Sequence, residues 1–227
     1  MNLAPLNYNF GNASNYSFAT TITCNNEDAR KMFVEGFGHM LNYNHEQAIA
    51  CYMNVTELDP TCAMAWWGIA YCVSSNYNWT PGLGSGYDPI QQAISLKAGC
   101  SALEQDLIDA LAQRHSEEAR DAADPSVLNM GNSPELNIAF AKAMAPLYLK
   151  YKGNLDVAAI YVEALMNLNA WQLWSKNTET GEITPLDNNT LLCVKVMEDA
   201  FENISGAKQH IALCHLYCHC LELSPFP

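Results

Sequence analysis

From Asn26 onward, apolar residues recur along this chain at intervals of three and four. Met32, Phe33, Phe37, Met40 and Leu41 mark one face of a helix. That helix opens on Asn-Glu-Asp, whose acids suit the positive helix N-terminus, and Tyr43-Asn44 breaks it. The same spacing predicts helices over 45–58, stopped at Asp59-Pro60, and over 62–74. The stretch NWTPGLGSGYDP at 78–89 is a loop, followed by helices near 88–99 and 101–116 divided by Gly99. Residues 117–133 are acidic and rich in turn formers. Ser133-Pro134-Glu135 then supplies a cap and a first-turn proline for a helix reaching 151. Gly153-Asn154 ends that helix. Another runs over 155–169, a polar loop fills 171–188, and two helices occupy 189–204 and 207–223. No stretch alternates as a strand. The pattern predicts an all-α chain with an irregular lead-in over 1–25 and a helical domain over 26–227.

The helices repeat. Ala29 and Ala63 begin similar units 34 residues apart, and a third unit begins at Ala139 after the Gly-rich loop. Small residues hold register, with Gly36 and Ala70 at one close-contact position and Ala48 and Ala158 at another. Trp66, Tyr52 and Pro60 stand where a tetratricopeptide repeat (TPR) prefers Trp, Phe and Pro, and in this the chain resembles that family. The runs NYNHEQA (42–48), DPTCAMAWWGIAY (59–71) and HIALCHLYCHCLELSP (210–225) are similar to a TPR subfamily with an FNHEEA turn and a final HPGxxHxYIHAxExSP helix. The resemblance implies a TPR-like solenoid of antiparallel helix pairs with loop insertions. It implies no particular activity. In this chain Ile211-Ala212 replaces the Pro-Gly of that last helix. In the TPR register 207–223 is a first helix without its second, so the array reads as truncated at its C-terminus. Phe201, Leu216 and Leu223 are then expected to lie partly bare, open to self-association through the uncapped helix.

Composition narrows the partners. Eleven basic against 24 acidic residues leave a net charge of −13, which disfavours nucleic acid and anionic membranes. Apolar residues make up 49% of the chain, enough to exclude disorder, yet no run reaches the roughly 18–20 residues of a membrane span. Nine cysteines without a CxxC pair, and no signal peptide, point to a reducing, cytoplasmic setting. Six N-x-S/T sequons point weakly the other way, and with Asn this common chance supplies several.

One segment carries recognisable chemistry. On a helix, His215, His219 and Glu222 fall within about 60° of arc, so HxxxHxxE can offer two imidazoles and a carboxylate to one metal ion. Neutral imidazole and carboxylate suit Zn, Fe, Ni or Cu. His45 and His210 are further contributors from outside that face. Cys214, Cys218 and Cys220 read as core packing. Asn76, Asn78, Glu163, Asn167 and Trp171 are candidate groove residues, with Trp174 beside them as a core anchor. Glu35 and His39 share a helix face and read as an ion pair. His115, near a helix end, reads as a structural cation. No nucleotide-binding, hydrolase or zincin motif is present, and no catalytic residue announces itself. The expected function is a binding module holding a protein, peptide or small ligand in a concave groove. The alternative is a metal-binding protein or metalloenzyme using the His/His/Glu face.

Overall fold

A computed structural model describes residues 21–78, 82–122 and 133–225. The lead-in over 1–20, the centre of the Gly-rich loop, most of the acidic stretch 123–132 and the last two residues lie outside them. The described residues fold as ten α-helices: α1 Glu27–Leu41, α2 His45–Leu58, α3 Ala63–Val73, α4 Tyr87–Leu96, α5 Ala102–Ala112, α6 Glu117–Asp121, α7 Pro134–Lys150, α8 Leu155–Met166, α9 Asn188–Asn203 and α10 Ile211–Leu221. None is long and apolar enough to cross a membrane.

Six of the described helices start where the sequence supplies a capping oxygen. Asn26 Oδ1 accepts from the Asp28 and Ala29 amides, Asn154 from Val157, and Ser133 Oγ from Leu136. Ser101 and Glu104 close a reciprocal capping box on α5. Two elements depart from the sequence reading. The acidic stretch contains the short helix α6, capped by Ser116. The polar loop contains a two-stranded antiparallel hairpin, β1 Trp174–Lys176 against β2 Ile183–Pro185. Its three-residue strands are too short to show alternation. Asn177 Oδ1, accepting from the Glu179 and Thr180 amides, and Gly181 at φ 74° set its turn.

Successive helices pack on one another from α1 to α4, and α7 on α8 on α9. Helix α5 bridges to α7, and α10 lies on α8 and α9. Tyr52 is fully buried between Gly36 of α1 and Gly68 of α3, where any larger side chain would meet its ring. Residues 21–25, read as lead-in, are anchored. Ile22 and Cys24 are buried, and Thr23 donates through both N and Oγ1 to the Glu104 carboxylate at 2.7 Å. Asn25 N donates to Asp59 Oδ2 at 2.6 Å. At the other end, Leu216 is buried rather than bare because α10 turns that face onto α8. Phe201 is half-buried edge-on to Tyr217, and only Leu223 is open to solvent. All nine cysteines are free thiols.

Candidate functional site

The turn between α1 and α2 builds the site. Asn42 ends α1, and the chain reverses through Tyr43 at φ 60°, the left-handed position that usually falls to Gly after a helix. A bulky residue there costs about 1–2 kcal/mol. The conformation places the Tyr43 ring between two imidazoles, 5.7 Å from His45 and 4.8 Å from His215. Trp171 is the other non-glycine residue in this region among those described, at φ 64°. Its half-exposed indole stacks on Tyr77 at 5.2 Å and meets His219 edge-on at 5.4 Å.

His45, at the start of α2, is buried. Its Nδ1 stands 3.0 Å from the Cys72 carbonyl, to which it donates when it carries the proton, and 3.2 Å from the Asn76 amide nitrogen, from which it accepts in the other tautomer. Burial pushes its pKa down, against the opposing pull of Glu163, and the ring is neutral at pH 7. Asn76 lies 3.2 Å from the same ring, and its own Oδ1 accepts from the Asn78 amide. The Asn78 side chain reaches His215 Nε2 at 3.4 Å. Around these groups opens a cleft of about 300 Å³ lined by Tyr43, His45, Glu46, Asn76 and Asn78.

Behind Tyr43 lies a buried charged network. Tyr71 donates a short hydrogen bond to Glu163 Oε2. Arg114, buried beneath α3, donates to the Ser75 carbonyl at 2.6 Å and to Asn137 Oδ1 at 2.9 Å, and sits over the Phe140 ring. Burial and the neighbouring Glu163 push the Tyr71 and Tyr43 phenols well above their ordinary range, so both stay protonated. Three polar atoms here are buried without a well-formed hydrogen bond: Tyr43 Oη, which lies against the Glu163 carboxylate, His45 Nε2, beside the Met40 backbone, and Glu163 Oε1.

The structure thus gathers His45, Asn76 and Asn78 around one cleft, with His215 beside Asn78 and Tyr43, and Glu163 behind them. His215 and His219 are neighbours, ring centroids 4.8 Å apart, but they engage different partners. His219 Nδ1 lies 3.4 Å from Glu222 Oε1, while His215 faces Tyr43 and Asn78. The described residues bring one triad of potential metal donors within 4.8 Å of one another, and it is Glu35, His39 and Cys51 rather than the α10 face. His210 stands apart as the cap of α10. Its Nδ1 accepts from the Leu213 amide and its Nε2 donates to Asp156 Oδ1 at 3.0 Å, both groups fully buried. Both nitrogens are occupied, so it is no ligand in this arrangement.

Asn167 belongs to a second cleft of about 550 Å³ between α7, α8 and α9. Much of that cleft's polar lining is spent within the fold, since Asp187 accepts from Asn169 and Asn189, and Asn137 from Arg114. Trp174 is buried, its indole N–H donating to the Cys220 carbonyl at 2.6 Å. His115 is not a cation. Burial, with the Arg114 charge second, pushes its pKa down to about 3. Sequence reasoning passed over Tyr43, Tyr71, Arg114 and Cys51. The available signal for Tyr43 was an aromatic residue in a two-helix turn, where Gly or Asn is usual.

No known protein family, curated protein or solved structure matches the chain significantly.

Proposed function

We propose that the chain is a binding module, a TPR-like solenoid of the cytoplasm whose groove takes a peptide segment through the cleft at Tyr43, His45, Asn76 and Asn78. The observation that carries this reading is the set of buried polar atoms at and behind that cleft whose hydrogen bonds are incomplete in this arrangement: Tyr43 Oη, His45 Nε2 and Glu163 Oε1. A buried polar group without a partner costs about 1–3 kcal/mol, and such groups concentrate where a ligand completes them. The left-handed Tyr43 and Trp171 fit the same reading, because backbone strain of this kind gathers at ligand clamps.

The chemistry of the cleft sets the ligand class. The exposed Glu46 carboxylate accepts hydrogen bonds, and the −13 charge of the chain favours a cation. The preferred peptide therefore carries an N–H donor, an amide or a basic side chain, with the half-exposed Trp171, backed by the buried Tyr77, offering an aromatic face. His215 and His219 serve in this reading as a polar wall of the groove and not as metal ligands.

A random peptide library panned against the immobilised full chain tests the proposal. Sequences bearing Lys, Arg, Asn or Gln should be enriched. Calorimetry on the selected peptide should show at least tenfold weaker binding for His45→Ala and Asn78→Ala, with helical circular dichroism unchanged. Absence of enrichment, or variants that bind as the parent does, would refute it.

A further inference from the structure

Helices α1 and α2 approach closely because Gly36 has no side chain. A Cβ there would stand 3.0 Å from the Cys51 Cβ. That approach lays Cys51 of α2 against Glu35 and His39, which project from one face of α1 at i and i+4. One donor atom from each of the three lies within 4.8 Å of the others. Donors at about 2.0–2.3 Å around a tetrahedral ion stand roughly 3.3–3.8 Å apart, so small side-chain rotations suffice to close on a metal. Among the described residues, Glu35 Oε1 is buried without a hydrogen-bond partner.

We propose that Glu35, His39 and Cys51 form a binding site for one divalent transition-metal ion of the zinc class. Thiolate, imidazole and carboxylate are the three zinc donors proteins use, and three of them leave a fourth position for water. The thiolate also selects against Mg and Ca, which take oxygen ligands. With its amide turned to present Oδ1, Asn44, whose side chain lies 3.4 Å from His39 Nδ1, can accept from that nitrogen and orient the ring from outside the ligand set.

Charge balance is compatible with the assignment. Binding the ion displaces the Cys51 thiol proton, which leaves to solvent. Thiolate and carboxylate then balance the two positive charges, so the occupied site is neutral and compatible with a buried position. This site is independent of the peptide reading and stands or falls separately.

Cobalt(II), titrated into the chelator-treated full chain, is the probe. One equivalent should produce a thiolate-to-cobalt charge-transfer absorption that zinc(II) abolishes. Cys51→Ser should remove the band while helical circular dichroism is retained. Glu35→Gln and His39→Gln should each weaken cobalt binding at least tenfold. His215→Ala with His219→Ala should leave the band intact. The proposal is overturned by wild-type protein without the band, or by a band that persists in Cys51→Ser. A band lost on changing His215 and His219 overturns it as well. Should Cys51→Ser fail to fold, Glu35→Gln decides, and parental affinity in that variant overturns the assignment.

Discussion

Replacing Gly68 with Ala tests the helix packing at its tightest point. A Cβ on Gly68 would stand 2.5 Å, 2.6 Å and 2.7 Å from Cε2, Cζ and Cδ2 of Tyr52. Real Cβ atoms do not approach so closely, so the ring or the backbone must move by about 1 Å. Tyr52 has no room to yield, being fully buried and tilted against Phe33 at 5.2 Å. Overpacking of this kind costs about 1–3 kcal/mol, occasionally more. Alanine offsets up to about 1 kcal/mol of it through helix propensity. The net expectation is a loss of roughly 2 kcal/mol, or a fall in Tm of about 4–8 °C for a chain this size. Gly99→Ala is the control, because nothing lies within 4 Å of its Cβ position. It should leave Tm unchanged or raise it slightly. Urea and thermal denaturation of the two variants beside the parent measure the difference. A Gly68→Ala protein as stable as Gly99→Ala would refute the packing of α2 on α3.

Two further outcomes follow from the buried histidines. His115 is held down to about 3 in the fold, whereas the unfolded chain takes this proton near 6.5. Its contribution is therefore complete above pH 6.5 and is lost on acidification towards 3, at up to about 1.4 kcal/mol per pH unit. Urea denaturation of His115→Gln between pH 7 and 4 should show a correspondingly shallower loss, and an unchanged slope would contradict this. His210→Ala strips the fully buried Asp156 of its Nε2 partner and removes the cap of α10. It should cost about 3–5 kcal/mol, and Asp156→Asn, which keeps an acceptor oxygen, should cost less by the same assay.

Much of the helical architecture was legible in the chain because its determinants are local. Asn26, Ser101, Ser133 and Asn154 announce helix starts by the chemistry of their own side chains, and the three-and-four spacing of apolar residues needs only neighbouring turns. The hairpin at 174–185 escaped notice because strands of three residues show no period, and a distant contact holds Trp174 in place. Of the candidate groove residues, Asn76 and Asn78 meet at one cleft with His45, which the sequence reading offered as a metal contributor. No local spacing joins them, because 31 residues separate His45 from Asn76. Helix-face geometry alone grouped His215, His219 and Glu222, because angular spacing shows which residues share a side but not what each ring will meet there. Tyr43, Asn78, Tyr77 and Trp171, arriving from other elements, decided that. The same holds for Cys51 beside Glu35 and His39, and for Arg114 beneath Tyr71 and Glu163. What the sequence determined by itself was helix content and boundaries, set by interactions a few residues apart. Which polar atoms lie buried together, and which of them lack a partner, depends on helix-to-helix distance and rotation, and only the tertiary structure decided it.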